Sequence, residues 1–183
     1  NANMHMCEAM LAAFEASIER RYLDRALLLA DHMTRRQAAQ AGGLVWEHYD
    51  RDWNIDADYH RDDPRHLFRP WGFQPGHQTE WAKLLLTLDG HLRASGEATG
   101  WLLPKARELF DRAVAAAWDA DFGGLVYGFA PEAWSKGIPR RGVARPSSSR
   151  WKAPSRTGSI AMAWCCGRNS FFFPSSGGTR RTS

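Results

Sequence analysis

Apolar residues recur at helical spacing in four stretches of this chain. Between residues 4 and 18, Ala9, Ala12, Ala13 and Ala16 share a small-residue face while Met10, Leu11 and Phe14 supply bulk. That spacing predicts a first helix, with Asn1 or Asn3 placed to cap its start. Residues 20–40 predict a second, with Tyr22, Ala26, Leu29, Ala30 and Met33 on one stripe and Gly42-Gly43 ending it. A third is predicted from about Pro75-Gly76 to His91, with His77, Glu80, Trp81, Leu84, Leu85 and Leu88 along one side. Gly96 and Gly100 bracket a turn. A fourth then runs from about 102 to 118 on Leu103, Ala106, Leu109, Phe110, Ala113 and Ala117.

The order repeats. His77-Gln-Thr-Glu80 echoes His5-Met-Cys-Glu8, and Gly123-Gly-Leu-Val-Tyr127 echoes Gly42-Gly-Leu-Val-Trp46. The unit is a helix opened by His-x-x-Glu, a second helix, and a Gly-Gly-Leu-Val-aromatic turn. One helix pair cannot bury its own apolar faces, so pairs must stack, as an open solenoid or a closed ring. The alanine face and the His and Glu that share it favour a ring around a central pocket. Between the pairs, the stretch from Leu44 to about Phe68 is rich in Asp, Arg and His. Its length and polarity predict a functional connection rather than a plain linker.

Length and composition bound the picture. With 183 residues, 44% of them hydrophobic and nine Trp, the chain can build a core of its own. No apolar run is long enough to span a bilayer, and no charged segment followed by an apolar one marks secretion. Three cysteines without a paired framework fit a reducing cytoplasm, the expected location. The net charge of +4 is a composite. Residues 1–134 hold all 20 acidic and 14 of the 24 basic residues, a net of −6, whereas residues 135–183 hold ten basic residues and no acid. That basic segment has neither an amphipathic helix nor spaced aromatics, so neither nucleic acid nor membrane is expected as a partner.

Helical periodicity stops near Ser135. From there Arg, Ser, Gly and Pro dominate, with Cys165-Cys166 and Phe171-Phe-Phe173 as isolated apolar clusters. Two domains of character follow: a helical part over 1–134 and a basic tail over 135–183. The tail reads either as a natural unstructured extension or, the preferred reading, as translation out of frame after about residue 133, which the coding DNA decides.

A His and a Glu three residues apart project from the same side of a helix, and such a titratable pair on a face that continues into apolar positions points to chemistry. His-x-x-Glu is not the His-Glu-x-x-His zinc pattern, so no metal is expected. No Gly-x-Gly-x-x-Gly, P-loop or Gly-x-Ser-x-Gly occurs, so no cofactor is expected either, and acyl chemistry has no nucleophile elbow. Glu8 and Glu80 could serve a glycoside hydrolase, but each comes paired with a His, which suits proton shuttling better. A helical-repeat binding protein is the alternative outside enzymes.

Several motifs occur in an order that resembles one family. Asn1-Ala-Asn-Met-His5-Met-Cys-Glu8, Glu47-His-Tyr-Asp50 with Trp53, Phe68-Arg-Pro-Trp-Gly-Phe-Gln-Pro-Gly-His77-Gln-Thr-Glu80-Trp81 and Gly123-Gly-Leu-Val-Tyr-Gly-Phe129 resemble the N-acylglucosamine 2-epimerase family. The Phe-Arg-Pro…Pro-Gly-His…Glu-Trp run is most similar to its aldose–ketose isomerase branch. The resemblance covers roughly residues 1–132. It implies an all-α (α/α)6 toroid with a central sugar pocket, of which this chain carries a middle portion. After Pro131-Glu132, Ala133-Trp134-Ser135 departs from the family's pattern. A second catalytic His is therefore expected outside the chain, the chain alone is expected to be inactive, and a homodimer is an expectation for the full-length protein only.

The resemblance also assigns roles. His77 is the implied acid–base residue, with Glu80 orienting it or binding a sugar hydroxyl. Spacing alone reads His77 as a helix-start histidine satisfied locally, and the flanking motif turns the reading to catalysis. Imidazole suits a group that must take and return a proton near neutral pH. Asn1 and His5, four residues apart on one face, are implied sugar binders, against a mere cap and a buried His; Glu8 follows by analogy with Glu80. Arg69 is implied to face the pocket, against a surface salt bridge with Asp62 or Asp63. Trp71, Trp81 and Tyr127 could stack on a sugar or fill the core, and of these Trp81 is the site candidate. The implied substrate is a free hexose such as mannose, giving fructose, with an N-acylated hexosamine as runner-up.

Overall fold

The structure, a computed structural model, describes residues 1–64 and 66–130. The tail expected over 135–183 and the boundary near 134 lie outside the described residues. Four main helices form two hairpins. Helix α1 spans Ala2–Ser17. Helix α2 spans Arg20–Asp31 and runs on through a π-helical segment, His32–Gln37, into the short α3, Ala38–Gln40. Helix α4 spans Pro75–Ala94 and α5 spans Leu102–Ala117. The all-α expectation holds. The β structure among the described residues is one antiparallel pair of two-residue strands, β1 (Trp118–Asp119) and β2 (Gly124–Leu125), with two isolated bridges.

The first two helices end, and α4 begins, for local reasons. Helix α1 stops at Ile18, which takes the left-handed conformation and returns its N–H to the Phe14 carbonyl at 2.7 Å. Gly42 and Gly43 both have positive φ and end the second helix. Their carbonyls receive the Arg112 guanidinium (2.6 Å) and the Lys105 ammonium (2.7 Å) of α5, so cations of the second hairpin satisfy a helix end of the first. Pro75 opens α4 at the position where its missing N–H costs nothing.

The core lies between the hairpins: Met4, Cys7 and Leu11 of α1, Leu23, Ala26 and Ala30 of α2, Trp81, Leu84, Leu85 and Leu88 of α4, and Leu102, Ala106 and Leu109 of α5. The buried stripe of α2 and its π-helical continuation is Leu23, Ala26, Ala30 and Met33, with Tyr22 and Leu29 only half-buried. On α1 the difference is larger. Ala9, Ala12 and Ala16 are exposed, and so is His5, at 56% of its side chain. The expectation that this face aims His5 into the protein interior is corrected: the bulky Met4, Cys7 and Leu11 take the core side because they bury more apolar area than alanine, which leaves the Ala/His face open.

The two Gly-Gly-Leu-Val turns, alike in sequence, differ in surroundings. Leu44, Val45 and Trp46 are buried where the first turn runs against α4. Gln78 of α4, wholly buried, donates its amide to the Val45 carbonyl (2.7 Å) and accepts the Val45 N–H (3.0 Å). The second turn folds back as β1–β2, with Leu125 and Tyr127 exposed. Just past it, Phe129 exchanges both backbone hydrogen bonds with Phe73, at 2.9 and 3.0 Å, at the entry to α4.

Candidate active site

Helices α1 and α4 lie side by side and run in the same direction. Their contacts keep one register: the Asn1 amide nitrogen is 3.5 Å from His77 Nε2, Lys83 Nζ is 3.4 Å from Glu8 Oε1, and His91 Nε2 is 2.9 Å from Glu15 Oε1. These contacts form a polar seam along the open face of the helix pair. At its head a small hollow of about 10 Å³, space for roughly one water, is lined by Asn1, Met4, Met33, Glu47, His77 and Trp81, among others. Met33 reaches it from the π-helical segment, a type of irregularity frequent at functional sites.

His77 has a neighbour at each ring nitrogen. It sits one residue past Gly76 in the first turn of α4, with 20% of its side chain exposed. Nδ1 lies 2.8 Å from Glu47 Oε2, and Nε2 faces Asn1. The expected orienting role of Glu80 is therefore corrected: the ring's carboxylate partner is Glu47, from the first Gly-Gly-Leu-Val-Trp turn. Glu47 is 5% exposed, and its Oε1 is buried with no hydrogen-bond partner.

Glu80 joins a second cluster. Ligand atoms of His5, Glu8 and Glu80 all lie within 4.8 Å of one another, with His5 Nδ1 3.6 Å from Glu8 Oε2. This set has the donor types of a divalent-cation site, but Lys83 already approaches Glu8 and the cluster is half open to solvent. Asn1 makes no side-chain capping bond; its backbone carbonyl accepts from Met4 and His5, and its amide is left for His77. Trp81, 2% exposed, belongs to the core and also forms a wall of the hollow.

Arg69 stands apart from this seam. It is exposed, and its guanidinium donates to the Tyr59 hydroxyl at 3.2 Å. The loop around it is knitted by rings: His48 stacks on Tyr59 (4.1 Å between centroids), Tyr59 on His60 (4.3 Å), and His60 meets His66 at 4.4 Å. His66 Nδ1 accepts the Phe68 and Arg69 N–H groups. Burial holds the His48 imidazole below its ordinary pKa, against the pull of its hydrogen bond to the Pro70 carbonyl and of Glu47. Burial also pushes the Cys7 thiol up to about 12, helped by Glu8, so Cys7 is a core residue and not a nucleophile.

Sequence reasoning missed Glu47 and Gln78 as parts of the site. Glu47 was visible only inside the Glu47-His-Tyr-Asp50 motif, with no pattern tying it to a helix 30 residues on. Gln78 carried no signal beyond its place next to His77.

Known proteins match this chain over its helical part. A D-mannose isomerase of Marinomonas mediterranea is 59% identical over 133 residues, 72% of this chain and 32% of that protein. D-mannose isomerases of Thermobifida fusca and Pseudomonas cannabina pv. alisalensis are 41% and 40% identical, over 69% of the chain and 31% of each. A crystal structure of D-mannose isomerase superposes with a TM-score of 0.67 at 58% identity, covering 72% of this chain and 32% of that one. The chain thus spans about a third of the length of the curated relatives it matches. Residues 1–140 match the N-acylglucosamine 2-epimerase (GlcNAc 2-epimerase) family, and the chain belongs to that family.

Proposed function

We propose that this chain carries part of the active site of a sugar isomerase that interconverts mannose and fructose, with His77 moving the C2 proton. In the open-chain aldose, Nε2 of His77 would take the proton from C2 as the carbonyl oxygen at C1 gains one, giving the enediol. Return of a proton to C1, with loss of the one on the C2 oxygen, completes the ketose, and no net proton is consumed. The observation that carries this reading is the His77 imidazole, anchored at Nδ1 by a buried carboxylate and presenting Nε2 beside Asn1 at the mouth of the hollow. Similarity to the D-mannose isomerases supports the substrate.

The hollow itself admits about one water, so the sugar would lie over its mouth, along Asn1, His5, Glu8 and Glu80. Those side chains offer donors and acceptors to hydroxyl groups, and Arg69 is retained only as a contact the loop could deliver. The family's own name favours a second reading, 2-epimerisation of an N-acylated hexosamine, in which the proton returns to C2 on the other face. The full-length gene product assayed with mannose, glucose, N-acetylmannosamine and cellobiose separates the two. Mannose–fructose turnover that His77→Ala abolishes is the expected result; normal turnover in that variant would remove the assignment.

A further inference from the structure

We propose that Glu47 is a positioning residue that fixes the tautomer of His77, so that the lone pair of Nε2, and not an N–H, faces the sugar. The inference rests on the reading of His77 as the proton-moving group, and it begins from hydrogen-bond capacity. An ionised carboxylate can only accept, so the hydrogen in the 2.8 Å contact between Nδ1 and Glu47 Oε2 comes from the imidazole. A neutral imidazole that carries its proton on Nδ1 has its lone pair on Nε2. Nε2 is the nitrogen beside the Asn1 side chain and the hollow.

The surroundings are built to hold this pair. Val45 and Glu47, two residues apart, sit against Gln78 and His77, which are adjacent on α4. The double hydrogen bond of Gln78 to the Val45 backbone fixes the turn, and the turn delivers Glu47 to the ring. The arrangement also has a cost. Glu47 Oε1 is buried and unpaired, and a buried acceptor without a partner works against stability. A carboxylate kept there beside an imidazole serves the imidazole: once Nε2 has taken the C2 proton, the ring is a cation with Glu47 against its other nitrogen.

Two readouts test this, one independent of turnover. In protein labelled with 15N-histidine, the His77 ring nitrogens, identified by their loss in His77→Ala, are expected to show Nδ1 protonated at pH 8. Glu47→Leu should move the proton to Nε2 or mix the two forms. In the full-length enzyme, Glu47→Gln keeps the shape and removes the charge. It should lower kcat on the order of 10²-fold with KM nearly unchanged, and Glu47→Asp should recover part of that loss. An unchanged kcat in a folded Glu47→Gln enzyme overturns the proposal even if Glu47→Leu does not fold, and so does a His77 that keeps its Nδ1 proton in a folded Glu47→Leu. If His77→Ala itself turns over normally, the functional reading fails instead, and the tautomer measurement still decides the pairing.

Discussion

The amide of Asn1 stands opposite the ring of His77, in the same register of α1 against α4 as Lys83 with Glu8 and His91 with Glu15. The two His-x-x-Glu phrases begin at His5 and His77, 72 residues apart, yet the helices pack with partners 75 or 76 residues apart. The second copy is therefore slipped by about one helical turn against the first. His5 falls beside Glu80, and His77 falls beside Asn1. The repeat supplies two like helices, and the slip makes one continuous polar strip of their unlike residues.

That geometry separates the roles of the two histidines. His5 is exposed, paired with Glu8 and close to Glu80, and on the proposed reading it holds hydroxyl groups rather than moving the proton. His5→Ala in the full-length enzyme is expected to raise KM by about tenfold, equivalent to ~1.4 kcal/mol of lost binding, with a smaller change in kcat. Initial-rate kinetics on mannose check this; a kcat that collapses at constant KM would make His5 a reacting group.

The Gln78 clamp is a stability element. Gln78→Leu keeps the helix and the volume but leaves the Val45 N–H and carbonyl buried and unpaired. Two such groups are expected to cost about 2–4 kcal/mol. Urea denaturation of the chain measures the loss, and a variant as stable as the parent would show that the turn is held by packing alone.

Gly72 runs close against the backbone of Phe129. Its φ is +103°, and a Cβ there would lie 2.5 Å from the Phe129 carbonyl oxygen, which is backbone and cannot swing away. Gly72→Ala must open the Phe73–Phe129 bridge. The expected cost is about 2–4 kcal/mol, read as a lowered melting temperature. Gly76→Ala, where a Cβ meets nothing within 4 Å, is the control and should be near neutral.

Most of the helical frame was legible in the chain. The four periodic stretches, the Gly42-Gly43 stop and the start at Pro75 fall where apolar spacing and backbone chemistry place them. The site was legible only in part. His77 could be picked out because a motif surrounds it, but its partner could not, because Glu47 reaches it from a turn that has no period to read. His5 was taken to point inward because periodicity finds faces without saying which one is buried; Met4, Cys7 and Leu11 decide that by area. Gln78 reads as an ordinary polar helix residue, and only the fold reveals that it faces a backbone needing two hydrogen bonds. The slip of α1 against α4 has no sequence signature, since it depends on how side chains of different size interlock.

The loop between the hairpins is expected to weaken as the pH falls, and His48 is the reason. Its ring is stacked on Tyr59 and hydrogen-bonded to the Pro70 carbonyl, and its Nε2 is buried without a partner. Burial lowers its pKa from the ordinary 6.5; the hydrogen bond and Glu47 oppose that, while His60 and the N-terminal amine reinforce it. Above about pH 6.5 the imidazole is neutral in folded and unfolded chains alike, and its contribution is fully present. Below it the unfolded chain binds a proton that the folded chain resists, so stability declines with falling pH until the folded pKa is passed. One such site steepens the dependence by at most about 1.4 kcal/mol per pH unit. Thermal melts of the chain between pH 7.5 and 5 should therefore slope downward on acidification. His48→Phe, which keeps a ring on Tyr59 but cannot titrate, should flatten that slope by the His48 share. Equal slopes in the two proteins would show that His48 does not carry the acid sensitivity.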